Sequence, residues 1–98
     1  MKALALAAIP LAVVLAVPAR ADVAEDYAAT HAAAVCDVLD EFPTFAGIEG
    51  IGEAIVEQGL SWQDAGRVIG LSVIDVCPQH TALLRAFVNT YAPKGQEI

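Results

Sequence analysis

The sequence predicts an all-α domain, a small bundle of three to four helices stapled by one disulfide, after a cleaved signal peptide. Three observations carry that expectation. Apolar residues recur three and four positions apart, and the alternation expected of a half-buried strand is absent. Pro43, Gly59 and Pro78 divide the chain into pieces of helical length. Two cysteines, Cys36 and Cys77, follow a leader of the exported type.

The leader comes first in the chain. Lys2, the apolar run Ala3 to Val17, and Pro18-Ala19-Arg20-Ala21 read as its n-, h- and c-regions. Ala19 and Ala21 are the small residues a signal peptidase selects, which puts the cut before Asp22. The run is short for a membrane span of ~20 residues, and Pro10 interrupts it. No Cys lies at the cut to carry a lipid anchor. The expected organisation is a signal peptide over 1–21, a helical domain over 22–92 and a frayed tail over 93–98.

Composition changes once the leader is set aside. The whole chain is 57% hydrophobic, with a mean hydropathy of +0.58. Of 98 residues, removal of 21 leaves 77, and losing Lys2 and Arg20 takes the formal charge from −7 to −9. Only Arg67, Arg85 and Lys94 would remain as bases, too few to neutralise a phosphate backbone. An anionic lipid surface would repel the same charge. Nucleic acid and stable membrane association after cleavage are therefore not expected.

A chain of this size forms one small domain, near the limit where a core needs a staple. An even cysteine count in an oxidising compartment predicts a Cys36–Cys77 bridge. Closing that loop is worth ~4 kcal/mol in the chain-entropy model, against ~5–15 kcal/mol for whole domains. His31 and His80 near the two cysteines superficially resemble a zinc set. Five helical residues separate His31 from Cys36, so their side chains diverge by ~140° and do not converge on a metal. His31 is expected at the core edge and His80 at the surface; no metal or cofactor is expected.

In the first helix Asp22 and Glu25 form a capping box. Val23, Tyr27, His31, Val35, Val38, Leu39 and Phe42 then recur at helical spacing, and Pro43 ends the helix near Glu41. The second helix runs from Thr44 or Gly47 to Gln58, with Ile48, Ile51 and Ile55 as its apolar stripe and Gly59 as its stop. The third opens with Ser61 as cap and Asp64 at the positive end of the dipole, and runs to about Cys77. A shorter fourth helix spans Thr81 to Tyr91.

Small residues predict how these pieces pack. Gly66, Gly70, Val73 and Cys77 share a face of the third helix, as Ala29, Ala32 and Cys36 do on the first. The cysteines lie at similar distances from their caps, so the two helices are expected side by side and parallel, with the second returning between them. On that reading Gly70→Leu destabilises the fold.

Several of these residues look like a family. Val35-Cys36-x-x-Leu39, Gly59-Leu60-Ser61 entering a helix, and Val73 with Cys77-Pro78-Gln79, behind an exported leader, resemble the small secreted mycobacterial proteins grouped as domain of unknown function 732. The resemblance covers Tyr27 to Gln79. It implies a compact helical domain with paired cysteines in the cell envelope or medium, and it supplies no activity. Val76 stands where members often carry an aromatic residue, and the chain continues well past Cys77-Pro78, where members often end.

Chemistry-bearing motifs are sparse. Ser61 is explained as a cap, and Ser72 lies mid-helix without a nucleophile elbow, so neither makes a triad with His31 or His80. Gly47-x-x-Gly50-x-Gly52 lacks a preceding strand and a following Lys, and Glu49 and Glu53 would repel phosphate. Asp37, Asp40 and Glu41 end the first helix while Glu49, Glu53 and Glu57 stripe the second, without the Gly-centred loop of a calcium site. These acids form a solvated face to which a basic partner would be steered. Trp62 is expected as a buried lid, with an exposed anchor on that interaction face as the alternative.

The expected function is a secreted or envelope-located, non-catalytic protein-interaction module. The alternative is a carrier of a small apolar ligand between the helices.

Overall fold

The computed structural model describes the backbone of residues 19–91 and the side chains of residues 23–91. Most of the expected leader 1–21 and the tail 93–98 lie outside the described residues. The described residues form four α-helices: α1 (Ala19–Glu41), α2 (Phe45–Glu57), α3 (Trp62–Asp75) and α4 (Thr81–Tyr91). A single 3-10 turn, Pro78–His80, joins the last two, and no strand occurs among the described residues.

Local chemistry sets most of the helix ends. The Thr44 hydroxyl accepts from the Gly47 amide at 3.0 Å and starts α2. Gly59, at φ +109, takes the left-handed backbone that stops it. Ser61 accepts from the Asp64 amide at 3.0 Å and starts α3, with Asp64 in the first turn. α3 stops at Asp75, two residues before the expected Cys77, because a residue preceding proline avoids helical backbone. α1 departs from expectation at the other end. It already runs at Ala19, so Asp22 lies inside the helix rather than at its cap. Ala19, Arg20 and Ala21 are strong helix formers and carry the helix backwards.

α1 and α3 lie side by side and parallel. Arg67 reaches Glu25 at 3.9 Å near one end, and Cys36 bonds Cys77 at the other, sequence offsets of 42 and 41. The Cα atoms of the disulfide are 5.9 Å apart, an ordinary span for such a bridge. Both sulfurs are buried and sit 3.6 and 3.9 Å from the Ser72 carbonyl. Ser72 itself is fully buried, and its hydroxyl donates to the Val68 carbonyl at 2.7 Å, which satisfies it within the helix. The surface Arg67–Glu25 pair marks register and adds little stability.

The faces in contact are the expected ones only in part: Val35, Cys36, Leu39, Val73 and Cys77 are buried as expected, and the rest differs. α1 buries Ala24, Ala28, Val35, Cys36 and Leu39, while Val23, Val38 and Phe42 stay exposed. α3 buries Ala65, Val68, Ile69, Ser72 and Val73. Ala29 is exposed, and a Cβ on Gly66 or Gly70 would meet nothing within 4 Å. The two glycines are therefore outside the α1–α3 contact, and the destabilisation expected of Gly70→Leu has no structural basis. Alanines at 24 and 28 let the helices approach closely, so the narrow alanine face goes inward.

α2 folds back along α1 after the Phe42–Thr44 turn, inserting Ile48, Ile51 and Ile55 between α1 and α3. Glycine is required at position 47, in the first turn of α2, because a Cβ there would fall on the Phe42 carbonyl. α4 is held differently. None of its residues is fully buried; Leu83, Leu84 and Phe87 pack against the edge of the core. Its far end is anchored by an aromatic cluster, Phe45 with Phe87 at 5.3 Å and with Tyr91 at 5.9 Å between centroids.

The histidines exchange their expected places. His31 is exposed and stacks on Tyr27 at 3.9 Å, whereas the His80 side chain is 11% exposed with Nε2 2.7 Å from Asp40 Oδ1. That contact ties the 3-10 turn to the end of α1.

Candidate functional site

The loose seating of α4 leaves a groove of about 650 Å³ between α2, α3 and α4. α3 supplies its long wall. Trp62, Gly66, Gly70 and Ile74 follow one another at four-residue intervals, with Ile69 beside them. Each step of four residues advances about 40° around a helix, so these four positions form a ridge that winds about 120° across α3 while rising ~18 Å at 1.5 Å per residue. α2 contributes Ile48, Gly52, Glu49 and Glu53, and α4 closes the third side with Leu84, Phe87 and Val88.

The groove is apolar and open. Trp62 is 62% exposed and Ile74 66% exposed, the two ends of the α3 line. Trp62 is thus no buried lid. Its ring leans across α2 instead: a Cβ on Gly52 would come within 3.3 Å of Trp62 Cζ3. The capping role of Ser61 explains the exposure, since it fixes α3's start at Trp62 and the core-facing arc falls on Ala65 and Val68. At the centre, the missing side chains of Gly66 and Gly70 leave a depression that a ligand's side chain would fill. Glu49 and Glu53, one helical turn apart and exposed, are the charged residues among the described lining, which includes no Lys or Arg.

The structure therefore splits the expected interaction face. Glu49, Glu53 and Trp62 come together at the groove. Asp37, Asp40 and Glu41 stand at the end of α1, a helix that contributes nothing to the groove, and Asp40 is engaged by His80. Glu57 is exposed beyond the lining, in the last turn of α2. The residues that sequence reasoning missed are Gly66, Gly70, Ile74 and the α4 wall. Their signal was present in the line Trp62, Gly66, Gly70, Ile74, but the glycines alone looked like a packing face.

The groups that carry covalent chemistry are otherwise engaged. Ser61 caps α3, Ser72 is buried and bonded to Val68, and both cysteines are in the disulfide. Among the described residues, no group of three or more His, Cys, Asp or Glu side chains is placed to hold a metal ion. No described helix is long and apolar enough to cross a membrane.

No family model, curated protein or solved structure matches the chain.

Proposed function

We propose that the chain is a non-catalytic protein-interaction module, exported through its leader to the cell envelope or medium, with the α2–α3–α4 groove as its contact surface. The observation that carries the reading is the exposed apolar line Trp62 to Ile74 beside a half-open groove. Large apolar side chains held in water at a concave surface mark a binding site more often than a defect. The engaged hydroxyls of Ser61 and Ser72 support a non-catalytic role. The disulfide is compatible with an oxidising compartment.

Photocrosslinking tests this directly. A photoreactive residue at Ile74, in chain produced by an actinobacterial host, is expected to give one dominant protein adduct. The same residue at Asp37, away from the groove, is expected to give none. Equal labelling at both positions contradicts the reading.

A second reading is favoured by the groove's size. A volume of about 650 Å³ falls within the ~300–1,000 Å³ usual for small-molecule sites, which suits a carrier of a small apolar ligand. That reading predicts a stoichiometric adduct in the native mass of the exported protein, removed by solvent extraction.

A further inference from the structure

We propose that the groove receives a cationic amphipathic α-helix of about three turns, presented by a partner protein. The inference rests on the groove reading above and names the chemistry of its occupant. Three features of the site converge on it.

The first is length. The ridge from Trp62 to Ile74 rises twelve residue steps of α3, or ~18 Å, which matches a helical segment of about 12 residues crossing α3 along that inclined ridge. The second is shape. The walls are helices and the described residues offer no strand edge, so an extended peptide would find no backbone partners. A helix needs none, and its apolar knobs at three- and four-residue spacing would seat over Gly66 and Gly70, where a side chain meets open space.

The third is charge. Glu49 and Glu53 stand on the α2 rim at the spacing of one turn, and among the described residues no base lines the groove to neutralise them. A neighbouring helix with Lys or Arg repeated at the same spacing would meet both carboxylates while its apolar stripe fills the groove. An apolar acid such as a fatty acid would bring its carboxylate to two others. The net charge of −7 reinforces the choice by steering cations toward the whole molecule.

The test uses the full oxidised chain and two synthetic helical peptides of about 14 residues, free of Trp. Both carry Leu at three- and four-residue spacing; one has Lys on its flanks and the other Glu. Trp62 is the chain's single Trp, so its fluorescence reports binding in the groove. The Lys peptide is expected to bind about tenfold more tightly than the Glu peptide, with the preference shrinking as salt is raised. Glu49→Lys with Glu53→Lys is expected to reverse the order. Asp37→Lys with Glu41→Lys, which changes the net charge equally but away from the groove, is expected to keep it.

Equal binding of the two peptides, binding of neither, or the same reversal from the α1 pair overturns the helix proposal. Gly70→Leu separates this failure from failure of the groove itself. If dodecanol binds and Gly70→Leu blocks it while neither peptide binds, the groove stands and the cationic helix falls. If Gly70→Leu leaves peptide binding unchanged, the groove reading falls with it.

Discussion

The two long sides of this bundle are built on opposite terms. On one, α1 and α3 run parallel, meet through alanines and small branched residues, and are closed by a buried disulfide. On the other, α4 rests on α2 and α3 with no fully buried residue and leaves an apolar groove open to water. A domain this small has limited apolar surface to bury. Here it is concentrated where the staple also acts, so the open side can keep Trp62 and Ile74 in solvent without losing the fold. The proposed function rests on that division: in it the stapled side supplies stability and the loose side is offered as the contact surface.

The largest effects should come from breaking the stapled side. Replacing Cys36 and Cys77 together by Ser removes a bridge across 41 residues of separation. The expected loss is about 4 kcal/mol, read as a drop in unfolding midpoint by circular dichroism. Leu39→Ala comes next, since Leu39 is only 1% exposed. A loss of about 3 kcal/mol in chemical denaturation is expected for so buried a leucine. A midpoint close to wild type in either variant would show that the α1–α3 side does not dominate stability.

The loose side should respond weakly. Phe87→Ala removes the central ring of the Phe45–Phe87–Tyr91 cluster, and the half-buried site should cost about 1 kcal/mol while freeing α4. Faster amide exchange along α4, with little change elsewhere, is the expected signature. Gly70→Leu should be the smallest, within about 0.5 kcal/mol of wild type, because its side chain enters open space. A strong destabilisation by Gly70→Leu would put that glycine back in a packed interface and remove the groove.

What the sequence made legible was mostly local. Thr44, Ser61, Gly59, Pro43 and Pro78 act on neighbouring backbone, so the helix boundaries followed from them within a residue or two. The disulfide was legible from cysteine count, and the parallel pairing from the distance of each Cys to the start of its helix. The inward stripe of α2, Ile48, Ile51 and Ile55, was legible too, but the inward face of α1 was legible only at Val35, Cys36 and Leu39. Alanine is a good helix former and a weak apolar signal, so the stripe through Val23, Val38 and Phe42 outweighed Ala24 and Ala28 on paper. The choice depends on how closely α3 can approach, which one helix's pattern does not contain.

The same reason explains the site. Glu49 and Glu53 were legible as an acidic stripe, but their meeting with Trp62 depends on how α2 crosses α3. The Asp40–His80 contact joins residues 40 apart in sequence and had no local sign at all. Gly66 and Gly70 were misread because a glycine stripe fits a close helix contact and an empty groove equally well.

Native-state hydrogen exchange of the oxidised chain tests the division most directly, residue by residue, under increasing denaturant. Amides of α1 and α3 are expected to exchange only through global unfolding, while those of α4 exchange through a separate local opening at lower free energy. Equal protection from α1 through α4, converging on one global unfolding event, would contradict the account, because α4 would then belong to the stapled core.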